Sequence, residues 1–202
     1  MKAKQISGVP QQKNGGFHDT ESQKVFENSS VAVQKFEILK EKFFSVNQWK
    51  SYCSEKLADF QLYDSYGNHL SRKPEIGDFI RIDIPGLGDA EAKGYDWVKI
   101  TSIFSEKEES YEKIIMCCSP SYIPGQMKNF HIAHFYGARA SSCFMIAREG
   151  NYIKAAVYGR NERPNFEARF LDKIRNIFIA LGGMFGFSKI QWKSLTDGLL
   201  EL

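Results

Sequence analysis

Apolar positions recur along this chain with two different periods, and the change of period divides it into elements. Val33, Phe36, Leu39 and Phe43, followed by Val46, Trp49 and Cys53, return at three- and four-residue steps, the spacing that brings side chains to one face of a helix. The break in rhythm at Ser45 to Asn47 allows one helix or two short ones. Beyond it the period falls to two. In DFIRIDI, Ile80, Ile82 and Ile84 share one face while Phe79, Arg81 and Asp83 share the other, as in a half-buried strand. DWVKITSIF repeats the pattern, with Val98, Ile100 and Phe104 set against Trp97, Lys99 and Thr101. Pro85 to Gly94 between them reads as a turn-rich connection.

Similar short runs at Asp59–Asp64, Glu112–Cys118, Ser141–Arg148 and Asn151–Tyr158 predict further strands, the last two separated by a tight hairpin at Glu149 and Gly150. Strands in succession without intervening helices predict an antiparallel meander, so the fold class is α+β and not α/β. The chain then changes period once more. After Pro164, Asn165 suits a helix N-cap and Glu167 the positive end of the helix dipole. Phe170, Ile174, Phe178, Leu181, Phe185, Ser188, Trp192, Leu195 and Leu199 trace one stripe, which predicts a long closing helix with a single apolar face. Gly182, Gly183 and Gly186 interrupt it, each at a cost of up to roughly 1 kcal/mol relative to Ala.

Residues 1–28 are rich in Gln, Gly, Lys and Ser, too poor in apolar surface to offset ordering entropy, and are expected to form a flexible arm ahead of a single domain over 29–202. The 202 residues, 43% hydrophobic, suffice for one sizeable core. A net charge of +3 with acids and bases interleaved implies no nucleic-acid partner. Ile177 to Phe187, the longest uncharged apolar run, would rise about 16 Å as a helix against a bilayer core of about 30 Å, so no membrane span is expected. Cys53, Cys117, Cys118 and Cys143, behind a start without a signal-like apolar core, read as reduced thiols in a cytoplasmic protein. Oligomeric state stays open.

The order of elements resembles the START-like helix-grip superfamily, which includes lipid-transfer domains, plant ligand carriers and polyketide cyclases. The segment HIAHFYGARASSCFMIAREGNYIKAAVYGRNERPN and the helix after it are also similar to the end of an uncharacterised bacterial domain family within that superfamily, which shows a His, a Gly, a strand hairpin, an Arg-Pro turn and a closing helix in like order. The resemblance spans about residues 31–200 in architecture and 131–165 in residue detail. It implies a curved antiparallel sheet of about six or seven strands wrapped around the C-terminal helix, with an apolar cavity between them. A first strand ahead of the helical segment is expected within Gln23 to Val33.

Candidate chemistry is sparse. In GRNERPN, Arg160 and Arg163 suit a carboxylate or phosphate. Alternation nevertheless places Arg160 on the outer face with Tyr152, Lys154 and Tyr158, where Glu162 is an available ion-pair partner. His131 and His134 have metal-pair spacing only on a helix, and neither HExxH nor CxxC accompanies them, so no metal and no cofactor is called for. Either histidine, beside Glu149 or Asp96, suits a general base; a hydrogen-bonded structural histidine is the plainer reading. Cys117 and Cys118 lie in an apolar strand, where packing is the default.

Three functions compete. The first is carriage of an apolar small molecule or lipid between sheet and closing helix, lined by Ile80, Ile82, Val98, Ile100, Ile153 and Val157 with Phe170, Ile174 and Phe178, and bordered by His131, His134 and Arg163. The second is an enzyme of cyclase or hydrolase type in the same cavity, with His131 or His134 as acid or base and Arg148 or Arg163 holding an anionic substrate. The third is a non-catalytic interaction module with a filled core, using an outer sheet face that carries Phe79 and Trp97.

Overall fold

The computed structural model describes residues 2–52, 58–83, 95–126, 132–163, 165 and 184–202, with backbone alone for 184–189. Seven strands form one antiparallel sheet: β1 (Gly16–Val25), β2 (Asp59–Tyr63), β3 (Phe79–Asp83), β4 (Tyr95–Lys107), β5 (Tyr111–Pro120), β6 (Ser141–Glu149) and β7 (Tyr152–Glu162), in the spatial order β1-β7-β6-β5-β4-β3-β2. The last six form the expected meander. The β6–β7 hairpin closes with Glu149 opposite Tyr152 and Gly150 at φ 56°, a left-handed conformation that glycine adopts freely.

β1 is the first strand that the resemblance implied within Gln23 to Val33, but it begins earlier, at Gly16, and ends at Val25. It lies in the segment expected to be a flexible arm and pairs with β7 along its length, Thr20 opposite Val157 and Ser22 opposite Ala155. Its sequence, GFHDTESQKV, is polar on both faces, so it carries no hydrophobic alternation; backbone pairing to an existing edge makes it a strand. The polypeptide then crosses the whole sheet, because β1 and β2 are opposite edges. That crossing is helical: α1 (Ser29–Phe44), a single 3-10 turn (Val46–Gln48) and α2 (Trp49–Tyr52). Asn28 caps α1 by accepting from the Val31 N–H at 3.0 Å. The rhythm breaks at Ser45 as read, although Ala32 replaces Val33 on the buried face and Val33 is exposed.

The described part of the closing helix, α3 (Met184–Leu199), packs on β1, β7 and α1. Lys42 of α1 donates to the carbonyls of Gly198 and Glu201 at 2.9 and 3.0 Å, placing a cation at the negative end of the helix. One face of the sheet, called inner here, meets these helices. Ile80, Ile82, Val98, Ile100, Met116, Phe144, Ile153 and Val157 face Phe36, Leu39, Phe43, Trp49 and Leu195 in one continuous core.

The alternation read in β4 holds only to Ile100. A bulge between Ile100 and Ser102 adds one residue to the strand, so Ile103 packs on the inner core and Phe104 turns outward, 37% exposed. The outer face is itself covered. Residues 2–15 run across it as a strap, with Ile6 and Val9 packed on a second cluster of Ile115, Cys117, Cys143, Met145, Ala156 and Tyr158. Phe79 and Trp97, expected to be exposed, are 0% and 6% exposed. Tyr122 packs on Phe79, Tyr63 on Trp97, and the Trp97 N–H donates to the Ala133 carbonyl, because the segment following β5 folds back over that end of the sheet.

Cys117 and Cys143 stand directly opposite each other on β5 and β6 and are joined as a disulfide, Cα–Cα 4.0 Å, where reduced thiols were expected. Register supplied the partner, which sequence spacing does not reveal. Cys118, on the inner face, is a free thiol; burial pushes it up to about 12, so it packs as a small hydrophobe. Among the described residues no helix is long and apolar enough to cross a membrane.

Candidate functional site

The site grows from the end of β7. Opposite β1 the register shifts, His18 facing Gly159 and Gly16 facing Glu162, so β7 carries an extra residue there. Asn161 takes the strain at φ 56°, a left-handed conformation that asparagine tolerates better than most residues. Its consequence is a change of sides. Arg160 projects outward beneath the strap, and Glu162 folds back over Gly159 on the inner face.

Arg160 follows the alternation to the outer face, but it is 1% exposed and its partner is not Glu162. Its guanidinium lies 2.7 Å from Asp19 Oδ1, donates to the carbonyls of His18, Gly159 and Lys4, and sits over the Tyr158 ring. The strap buries a charge that has its own counter-ion. Nearby, burial acts to raise the Glu21 carboxyl, yet hydrogen bonds from Lys4 and Tyr158 and the Lys154 charge hold it below its usual value.

Glu162 instead meets His18. Glu162 Oε1 stands 3.3 Å from His18 Nε2, the two side chains being 2% and 11% exposed. The approach lacks hydrogen-bond alignment, and both His18 Nε2 and Glu162 Oε2 are buried without a hydrogen bond among the described residues. No side chain fits at Gly159: a Cβ there would run into both the Glu162 carboxylate and the His18 ring. A line of polar groups continues along β1 and α3. Thr20 Oγ1 is 3.4 Å from His18 Nδ1, and the Ser22 hydroxyl is 2.7 Å from Thr196 Oγ1 and donates to Asp197. Lys193 pairs with Asp197.

Across from this polar edge lies an aromatic wall. His18 stacks on Trp192 with ring centres 6.4 Å apart, and Trp192 contacts Phe144 at 5.5 Å and Phe60 at 6.2 Å. Trp49 touches Phe144 at 4.9 Å and Phe60 at 5.3 Å, and its Nε1 donates to the Phe43 carbonyl. A seven-stranded antiparallel sheet whose two terminal strands meet as neighbours, with the C-terminal helix laid on its inner face, decides the architecture. The fold is a helix grip.

No family model matches the chain, and no curated protein matches it. Solved structures similar to this helix grip include a hypothetical protein from Helicobacter pylori, 9% identical over 99% of this chain and 95% of that one, TM-score 0.48. Norcoclaurine synthase from Thalictrum flavum, in complex with dopamine and hydroxybenzaldehyde, is 8% identical over 96% and 94%, TM-score 0.37. Ara h 8.0201 is 13% identical over 93% and 100%, TM-score 0.39.

The structure scatters the residues singled out in the sequence. Ile80, Ile82, Val98, Ile100, Ile153 and Val157 do share the inner face. His131, Phe170, Ile174 and Phe178 lie outside the described residues, as do Ile84, the Pro85–Gly94 connection and Cys53. His134 sits in the loop before β6, stacked on Phe135 and Tyr136, with Nδ1 accepting from the Tyr136 N–H at 2.9 Å. Burial lowers it to about 3, so it is neutral at neutral pH. Arg148 is spent on the carbonyls of Ser110, Gly150 and Glu109. Arg163 is exposed and lines a cleft with the strap and Arg139, not with the six aliphatic residues.

The reading from sequence missed His18 altogether and treated Glu162 only as a partner for Arg160. His18 stood in a stretch with no apolar period. Glu162 follows a bulge, which reverses the side that simple alternation assigns to it.

Proposed function

We propose that this helix grip binds one small, largely apolar molecule between sheet and closing helix, with a hydrogen-bonding group of that molecule placed at His18 and Glu162. The observation that supports this reading is a buried imidazole–carboxylate pair whose His18 Nε2 and Glu162 Oε2 make no hydrogen bond among the described residues. Buried polar atoms are nearly always satisfied, so two beside each other against an aromatic wall mark a place where another molecule's donor and acceptor belong. The six inner-face aliphatics and Trp192 supply apolar area, worth about 25 cal/mol per Å² buried. Native mass spectrometry of freshly purified protein tests the proposal. A reproducible small-molecule adduct is expected, depleted by His18→Ala and by Glu162→Ala with unchanged circular dichroism. A clean apo mass, or an adduct indifferent to both changes, overturns it.

The same 3.3 Å approach of imidazole and carboxylate favours a second reading, proton transfer on the bound molecule. The extracted adduct, returned to the protein in deuterated water, would exchange an acidic C–H with the pair intact and would not exchange it with His18→Asn. Equal exchange in both sinks this reading and leaves binding untouched. The Cys117–Cys143 bond bears on the compartment, since disulfides persist in oxidising surroundings. Alkylation before reduction, read as intact mass, reports the state of the pair in the cell.

A further inference from the structure

Asn161, the residue at φ 56°, also fastens the strap. Its Oδ1 accepts from the backbone N–H groups of Lys13 and Asn14 at 2.8 and 3.2 Å, its Nδ2 donates to the Gln11 carbonyl at 3.1 Å, and its own N–H donates to Gln12 Oε1 at 2.8 Å. Four hydrogen bonds to one side chain and its peptide hold Gln11–Asn14 against the end of β7. The Gly137 N–H donates to the Arg163 carbonyl, bringing the loop that carries Arg139 to the same place. Between strap and loop lies a cleft of about 590 Å³, lined by Pro10, Gln11, Lys13, Asn14, Arg139, Asn161 and Arg163.

The charges of this cleft are one-sided. Among the described residues, three cations and no carboxylate line it. Elsewhere beneath the strap cations are matched: Arg160 with Asp19, and Lys4 and Lys154 with Glu21. Lys13, Arg139 and Arg163 have no acidic partner among the described residues, and all three are exposed to the cleft's solvent. Like charges held together by a backbone fastened for other reasons raise the local positive potential and draw an anion. Two arginine forks and an ammonium suit a group with several oxygens and more than one negative charge, and a phosphate carries about −1.5 to −2 with three acceptor oxygens, whereas a carboxylate fills one fork.

We infer that the cleft between the strap and β7 is a binding site for a phosphate group, held by Lys13, Arg139 and Arg163. Its volume falls within the roughly 300–1,000 Å³ of small-molecule sites, so it has room for an organic phosphate ester. The phosphate comes from a soluble ester or from a lipid head group, and the two are separable. The inference is independent of the His18–Glu162 reading, which concerns the inner face.

Isothermal titration of the full chain with inorganic pyrophosphate, and flotation with phosphatidylcholine vesicles containing phosphatidic acid, test the site. Saturable pyrophosphate binding is expected, weakened about tenfold or more by Arg139→Gln and again by Arg163→Gln, and unaffected by Lys50→Gln, an exposed cation on α2. Flotation without pyrophosphate binding, lost in the same two variants, assigns the phosphate to a lipid head group. Absence of both, or binding that all three variants weaken equally, overturns the inference. Because both arginines are exposed, urea midpoints of the variants should match the parent, which separates loss of the site from loss of the fold.

Discussion

The two faces of the sheet are built from the same seven strands yet differ in what holds them. Apart from its polar edge at His18 and Glu162, the inner face is one apolar core closed by helices; the outer face is a mosaic of ion pairs, a disulfide and a small apolar cluster closed by a strap. Trp49, Phe60, Phe144 and Trp192 interlock without needing partners of a particular charge. Arg160 can be buried only because Asp19 and three carbonyls meet it. A core of the first kind tolerates exchange among hydrophobes of like volume, and a cover of the second kind does not.

The contrast can be broken from its strongest side first. Trp49→Ala deletes a ring that is 0% exposed and bonded through Nε1 to Phe43; a loss of about 3–5 kcal/mol is expected from urea unfolding. On the outer face, Arg160→Met leaves Asp19 without its counter-ion and should cost about 3 kcal/mol, part of which Asp19→Leu in the same chain restores. If Arg160→Met alone unfolds no more easily than the parent, the strap is decorative.

At the sheet's end, His134 gives a pH signature. Its folded value is lowered to about 3 from 6.5 by burial, so the unfolded chain binds the extra proton between these values. Its contribution is intact above pH 6.5 and is lost as pH falls, at roughly 1.4 kcal/mol per pH unit. His134→Gln should flatten this slope between pH 6 and 4, read from urea midpoints. An unchanged slope assigns the acid sensitivity elsewhere. The smallest effect is expected at Ile6, a partly buried strap residue. Ile6→Ala should cost about 1 kcal/mol, below the range for fully buried sites, and should hasten proteolysis ahead of β1.

The inner face was legible because burial on one side imposes a period that survives in sequence: Ile80 and Ile82, Val98 and Ile100, Ile153 and Val157 all fall where alternation puts them. It failed at the bulges. One extra residue near Thr101 sent Phe104 outward, and another near Asn161 sent Glu162 inward, where it meets His18. Phe79 and Trp97 were placed on the correct face and given the wrong surroundings, since alternation separates two sides without saying what covers each.

The candidate site was barely legible for the same reason. Its two polar atoms come from strands 1 and 7, which are far apart in the chain, and neither lies in a motif. By itself the sequence determined the α+β class, the meander, a helical segment after residue 29 and the apolar face of Trp192, Leu195 and Leu199 in the last helix, because each follows from local periodicity and propensity. Only the tertiary structure decided that GFHDTESQKV is a strand, that Cys117 bonds Cys143, that Arg160 is buried against Asp19 and that His18 stands beside Glu162. Those are pairings between distant segments, and their energy comes from backbone hydrogen bonds, register and mutual burial that exist only once the chain has closed on itself.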